Sequence, residues 1–183
     1  MTDFFAILGE PRRPWTDPDA LKEKYHRLTA RHHPDIAGAS ADFAEINHAY
    51  QTLADPVARL RHLLELECAV PPAQQAPGEI AAFFAPVAGT RQAVDAFFKK
   101  HAAAVSPLAK ALLSPEQFET QERIEEMIAS LQEKHDALLE QVREADAAWP
   151  GSLAQLAPLW QSLTYTAKWL AMLREALFRF AAI

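Results

Sequence analysis

Two amphipathic stripes joined by a short turn constrain this chain more than any other feature. Leu21, Tyr25 and Leu28 recur at spacings of four and three, and Phe43, Ile46, Tyr50 and Leu53 at three, four and three. Each pattern matches a helix that buries one face. The turn from His33 to Asp42 is too short to let the helices part, so an antiparallel hairpin is expected. His33-Pro34-Asp35 then falls at its tip, an aromatic base, a proline and a carboxylate. As a plain turn the tripeptide has a ready account, in which Pro34 stops the first helix and Asp35 caps loop amides. As a displayed group it is a recognition site.

Context separates the two. Asp3-Phe4-Phe5-Ala6-Ile7-Leu8-Gly9 precedes the first helix, Ile46-Asn47-x-Ala49-Tyr50 lies within the second, and Asp55-Pro56 follows. With His33-Pro34-Asp35 between the helices, this ordered set resembles the J-domain of the DnaJ family. The resemblance implies a trigger made of His33, Pro34 and Asp35, with Asp35 pairing with a cation on a partner chaperone and Pro34 fixing the turn. It implies too that a basic face of the first helix meets an acidic surface on that chaperone. Lys24, Arg27 and Arg31 share one face, with Lys22 as a flank. On an arbitrary helix the same stripe would be ordinary solvated surface.

Composition narrows the other classes. A chain of 183 residues can bury one good core or two small ones, and 50% hydrophobic against 23% charged residues is globular. With 5 glycines among many alanines and leucines, helix is favoured almost throughout. The net charge of -6 argues against general nucleic-acid binding. Cys68 is the only cysteine, so no disulfide forms within the chain, and it is expected to pack as a small hydrophobe. His26, His32, His33, His48 and His62 lack metal-ligand spacing, and neither a phosphate loop nor a nucleophile elbow is present. A protein that is not an enzyme, with no metal and no cofactor, is expected. No secretory signal is visible, and Gln155, Pro158, Gln161 and Lys168 interrupt the apolar tail, so a cytoplasmic protein with no membrane partner is expected.

Helix signals divide the chain. Thr16-Asp17-Pro18 opens a helix to about Arg31, and Asp42-x-x-Glu45 reads as a capping box for the next. Pro56 starts a third, with Val57, Leu60, Leu63, Leu64 and Leu66 as its apolar positions. Residues 1–68 are assigned to the J-domain, 69–78 to a proline-rich linker, and 79–183 to a second helical domain. There, helical segments are expected at about 79–85, 90–104 and 107–113, with Pro86 and Gly89 breaking or kinking the first stretch. Ser114-Pro115-Glu116-Gln117 opens a long helix to about Ala147, carrying Ile124, Ile128, Leu131, His135, Leu138 and Val142 near one stripe. Trp149-Pro150-Gly151 ends it, and Ser152 can cap the last helix. That helix is apolar on more than one face, which suits either a covered position in a bundle or a partner surface. The fold class is all-α, a J-domain hairpin followed by a small helical bundle.

A J-domain joined directly to such a domain, with neither a glycine-phenylalanine-rich linker nor a cysteine-rich zinc module, resembles the HscB branch of J-proteins. Gln51-Thr52-Leu53, Arg59 and Leu63-Leu64 add local agreement. This implies a co-chaperone that stimulates an HscA- or DnaK-type ATPase and delivers a client in iron-sulfur cluster assembly. The branch usually grips the scaffold protein IscU through an acidic helix rich in leucine and methionine. Here the matching stretch runs from Phe83 to Asp95, with Phe83, Phe84, Val87 and Arg91 as candidate client contacts, but with Pro86 and Gly89 and few acids. Two other readings stand beside it: a J-domain adaptor with a client outside iron-sulfur assembly, and a helical interaction module without chaperone activity.

Overall fold

The computed structural model describes residues 2–31, 40–69 and 78–183, and all regular structure among them is helical. Helices α1 (Phe4–Leu8), α2 (Pro18–Arg31), α3 (Ser40–Ala54) and α4 (Pro56–Leu66) come first. A 3-10 turn (Gly78–Phe83) leads into α5 (Phe84–Ala103), α6 (Pro107–Ala111), α7 (Ser114–Ala147) and α8 (Leu153–Phe180). The described residues form two compact units, one drawn from 1–74 and 139–160, the other from 75–138 and 161–183. The end of α7 and the start of α8 therefore belong with the N-terminal helices. A cut at 69–78 does not foresee this, because the bonds responsible join residues far apart in sequence. Residues 70–77 of that expected linker lie outside the described residues.

In unit 1, α3 packs against α1, α2 and α4. Asp3 caps α1 by accepting from the Phe5 and Ala6 amides, and Gly9 ends it at φ 63, a conformation glycine adopts without steric cost. Asp17 accepts from the amides of Asp19 and Ala20 and so starts α2. Leu21, Ile46, Ala49, Leu53, Leu60, Leu63 and Leu64 are buried with Phe5 and Leu8. Tyr25 and Tyr50 stack at 4.2 Å between centroids, and the Tyr25 hydroxyl donates to Asn47. The expected hairpin faces are thus in contact.

Two expectations change here. Helix α3 already runs at Ser40, so Asp42 is a first-turn acid favoured by the helix dipole and not the cap. Cys68 is exposed, because the chain beyond α4 turns through a left-handed φ of 53 there and leaves the core.

His62 is 4% exposed and holds α1 in place: its Nε2 accepts the Phe4 N–H at 3.1 Å, and its ring stacks on Phe4 at 4.5 Å. A protonated ring would set a donor against that donor. Burial lowers the His62 pKa below 6.5; Asp3 and Glu65 pull it up, and Arg12 and His48 push it down. The unfolded chain therefore takes the proton first. The stability contributed by this contact is complete above the unfolded value and is lost as pH falls through the folded one. The Tm should drop on acidification below about 6.5, and His62→Gln should flatten that limb of the profile. An equally steep limb in the variant would assign it to other groups.

In unit 2, Val87, Val94 and Phe97 of α5 share a core with Ile124 and Leu131 of α7 and with Leu170, Leu173, Ala176 and Phe180 of α8. Pro86 and Gly89 do not break α5. Pro86 sits in the first turn, where its missing N–H removes no helix bond. Gly89 makes room: a Cβ there would come within 2.9 Å of the Arg123 guanidinium. The α7 stripe is buried at Ile124, Leu131 and Leu138, and beyond them at Val142 in unit 1, while Ile128 and His135 are half-buried. His135 Nδ1 lies 2.8 Å from the Thr166 hydroxyl, a polar contact in that seam.

At the other end of α7, within unit 1, Ser152 departs from its expected capping of α8. It is 2% exposed and donates its hydroxyl to the Ala145 carbonyl at 2.6 Å, satisfying one of the orphan acceptors that close α7.

Candidate functional site

The solvent face of α2 carries the expected basic residues, but they are not equivalent. Lys22, Arg27 and Arg31 are exposed. Lys24 is half-buried, with Nζ 2.6 Å from Glu10 and donating to the Gly9 carbonyl at 3.1 Å. Its charge is largely answered by Glu10, so it joins α2 to the end of α1 and contributes little to the outward field. Spacing placed Lys24 on the basic face; the acid that neutralises it lies beyond a turn and gives no periodic signal.

Between α1 and α2 runs an open groove of about 300 Å³, with Ile7, Leu8 and Leu28 in its lining and Arg27 and Arg31 beside them. An apolar strip edged by guanidinium groups suits an acidic segment that also presents one or two apolar side chains. Arg31 closes α2, and His33, Pro34 and Asp35 follow in sequence but lie outside the described residues.

A second polar cluster, absent from the sequence-based reading, ties the loop after α1 to the end of α7. Arg13 donates to Asp146 through Nη2 at 2.7 Å and Nε at 3.1 Å, and the Trp15 amide donates to the same carboxylate. The Arg143 guanidinium lies 4.1 Å from the centre of the Trp15 ring. This bidentate arrangement is stronger than a simple ion pair, although Arg13 remains about half exposed and solvent-screened.

The four candidate client residues separate. Val87 is 4% exposed and belongs to the core, which removes it from the candidate surface; α5 turns that side onto α7 and α8. Phe83 is partly buried against the same core. Phe84 remains 40% exposed, edge-on to Trp169 at 4.8 Å and to Tyr165 at 5.4 Å. Arg91 is exposed at a cleft of about 290 Å³ that also includes Asp95, Met172, Glu175 and Arg179. The aromatic partners Tyr165 and Trp169 lie one turn apart on α8, the helix that the sequence reads as apolar on more than one face. Among the described residues, no three His, Cys, Asp or Glu side chains are placed to share a metal, and no helix is long and apolar enough to cross a membrane.

A short α1, a paired α2 and α3, and a basic outer face on α2 define the J-domain class. The family model of the DnaJ domain matches residues 3–62, so this part of the chain is a DnaJ domain. It is 48% identical over 63 residues to the chaperone protein DnaJ of Acaryochloris marina and 46% over 65 residues to that of Prochlorococcus marinus. These alignments cover 33% and 34% of this chain, and only 16% and 17% of the relatives, so the chain matches about one sixth of their length.

The whole chain resembles something narrower. The chaperone HscB from Vibrio cholerae superposes with a TM-score of 0.65 at 19% identity, covering 98% of this chain and 99% of that one. The human co-chaperone HscB gives 0.56 at 16% identity, over 95% and 81%. The chain thus carries a DnaJ domain at residues 3–62 and shares its overall fold with these HscB structures.

Proposed function

We propose that this protein is a J-domain co-chaperone that stimulates ATP hydrolysis by a DnaK- or HscA-type chaperone and hands it a client held by the second domain. The observation that carries the reading is the groove edged by Arg27 and Arg31, immediately before His33-Pro34-Asp35, on a chain that has the HscB fold from end to end. Residues 1–68 would dock the chaperone and 79–183 the client. Lys22, Arg27 and Arg31 would steer encounter, with Lys24 shaping the groove, and Asp35 would act at the trigger. The device is coupling: a J-domain that binds the chaperone's ATP state better than its ADP state shifts it toward hydrolysis. Likeness to HscB supports an IscU-like iron-sulfur scaffold as client, with Phe84 and Arg91 at its surface and Phe83 supporting them.

The test is single-turnover ATP hydrolysis by DnaK and HscA, with and without IscU. Stimulation should vanish in Asp35→Asn and rise further with IscU. Docking should also weaken with salt, and Arg27→Ala with Arg31→Ala should reduce both the stimulation and its salt dependence. No stimulation of either chaperone would end the co-chaperone reading, and stimulation unchanged in Asp35→Asn would remove Asp35 from the trigger.

One observation favours a client of another kind. The outer positions of α5 include Ala85, Ala88, Gln92 and Ala96, a smooth and uncharged strip. A scaffold that seeks acidic groups would find little there. Stimulation indifferent to IscU would select the adaptor reading.

A further inference from the structure

The turn that leaves α1 fixes an acid against the basic face of α2. The Gly9 N–H donates to the Ala6 carbonyl at 3.1 Å and the Glu10 N–H to the Phe5 carbonyl at 2.8 Å. These two bonds close a Schellman turn, with Gly9 in the left-handed conformation that such a turn needs. The backbone of Glu10 is therefore held without help from its side chain. That side chain is only 9% exposed, and its carboxylate lies 2.6 Å from the Lys24 ammonium. The ammonium also donates to the Gly9 carbonyl at 3.1 Å, so Lys24 has a second anchor that carries no charge.

Lys24, Arg27 and Arg31 all line the groove between α1 and α2, together with Ile7, Leu8 and Leu28. Neither Arg27 nor Arg31 has an ion pair among the described residues. Arg31 follows Lys24 by two helical turns, about 10 Å along α2. The groove is thus electrostatically uneven along its length. One end offers open guanidinium charge, and the other offers a closed pair whose two charges largely cancel a few ångströms away. An acid brought to the closed end finds no free cation there and faces the Glu10 carboxylate. An apolar side chain meets no such opposition. We propose that Glu10 sets the specificity of this groove: by discharging Lys24 it confines a partner's acid to Arg27 and Arg31 and leaves the other end to an apolar side chain. This rests on the docking role proposed above and deepens it, because it gives the partner segment a direction, apolar at one end and acidic at the other. It also means that the wild type docks less tightly than three free cations would allow.

The test uses the full chain with two short fluorescent peptides, one with glutamates at one end and leucines at the other, one of glutamates throughout. Binding is read by anisotropy across salt concentration, and stimulation of DnaK and HscA is titrated beside it. Glu10→Gln should bind the all-glutamate peptide about fivefold more tightly at low ionic strength, with a smaller gain for the mixed one. Its salt dependence should steepen, and half-maximal stimulation should come at a lower concentration. The fold should hold, since the turn uses backbone bonds and Gly9 still anchors Lys24; thermal melts check this. Lys24→Met should weaken binding by baring Glu10, and Glu10→Gln with Lys24→Met should return to wild-type affinity and salt dependence, because a neutral pair has been removed whole. A double variant as weak as Arg27→Met would show that Lys24 itself meets the partner's acid and would overturn the proposal. Absence of any gain in Glu10→Gln, or a wild type that binds neither peptide, would overturn it equally. Peptides that behave as expected while neither chaperone is stimulated would uphold the role of Glu10 and end the co-chaperone reading instead.

Discussion

Arg59→Ala is expected to lower the unfolding free energy of unit 1 by about 3–5 kcal/mol. Arg59 is 3% exposed, on the first turns of α4. Its Nη1 donates to the Leu53 carbonyl at 2.8 Å, and its Nε to the Pro14 carbonyl at 3.0 Å. The Leu53 carbonyl lies in the last turn of α3, where no amide of that helix remains to satisfy it. One guanidinium therefore closes α3, holds α4 against it and fixes the segment before Trp15, whose ring centre lies 5.7 Å away. Burial lowers the Arg59 pKa to about 10, with Asp55 and Asp146 pulling it back up, so the group stays charged at neutral pH. Alanine would leave two carbonyls short of donors and open a cavity. Arg59→Lys keeps the charge, but a single ammonium cannot reproduce the fork, so an intermediate loss is expected. Urea unfolding should show a lower midpoint at unchanged slope. A loss below about 1 kcal/mol for alanine would mean that the carbonyls find other donors, and the account of this residue would be wrong.

The contrast between Arg59 and the hairpin residues shows which features of such a chain can be read in advance. The α2 and α3 stripes are local: each buried position follows from the one three or four residues before it, and the cap at Asp17 precedes the helix that it starts. The same holds for the all-helical class and for Ile124, Leu131 and Leu138 on α7. Arg59 and His62 interrupt an apolar stretch of α4 as polar residues, and their burial depends on Pro14, Leu53 and Phe4, which no spacing rule connects to them. The pairing of Arg13 with Asp146 is more remote still, and it joins the end of α7 to the loop after α1 within unit 1. Pro86 and Gly89 misled for a different reason. Both are helix breakers on average, but one occupies a first turn and the other faces a bulky arginine on α7. Of the candidate site, the charged positions of α2 were legible as a face, while the loss of Lys24 to Glu10 was not.

Phe97→Ala is expected to cost about 3–5 kcal/mol in unit 2, and it separates the two tasks proposed for this protein. Phe97 is fully buried, with its ring centre 4.9 Å from that of Phe180 and 5.6 Å from that of Phe98, inside the cluster that includes Val94, Ile124 and Leu131. Truncation removes a large apolar surface and leaves a void edged by side chains from three helices, whose backbone cannot close over it. Phe97→Leu fills most of that space and should cost about 1 kcal/mol. None of the residues around Phe97 belongs to unit 1, so the α1–α2 groove and the stacked tyrosines should be untouched. Near the lowered midpoint of unit 2, the alanine variant should therefore retain client-independent stimulation of the chaperone while the added effect of client disappears. The comparison needs thermal melts followed by circular dichroism and both ATPase readouts at one temperature. Simultaneous loss of the two activities, at a temperature where Phe97→Leu keeps both, would show that docking and client delivery are not divided between the two parts of the chain.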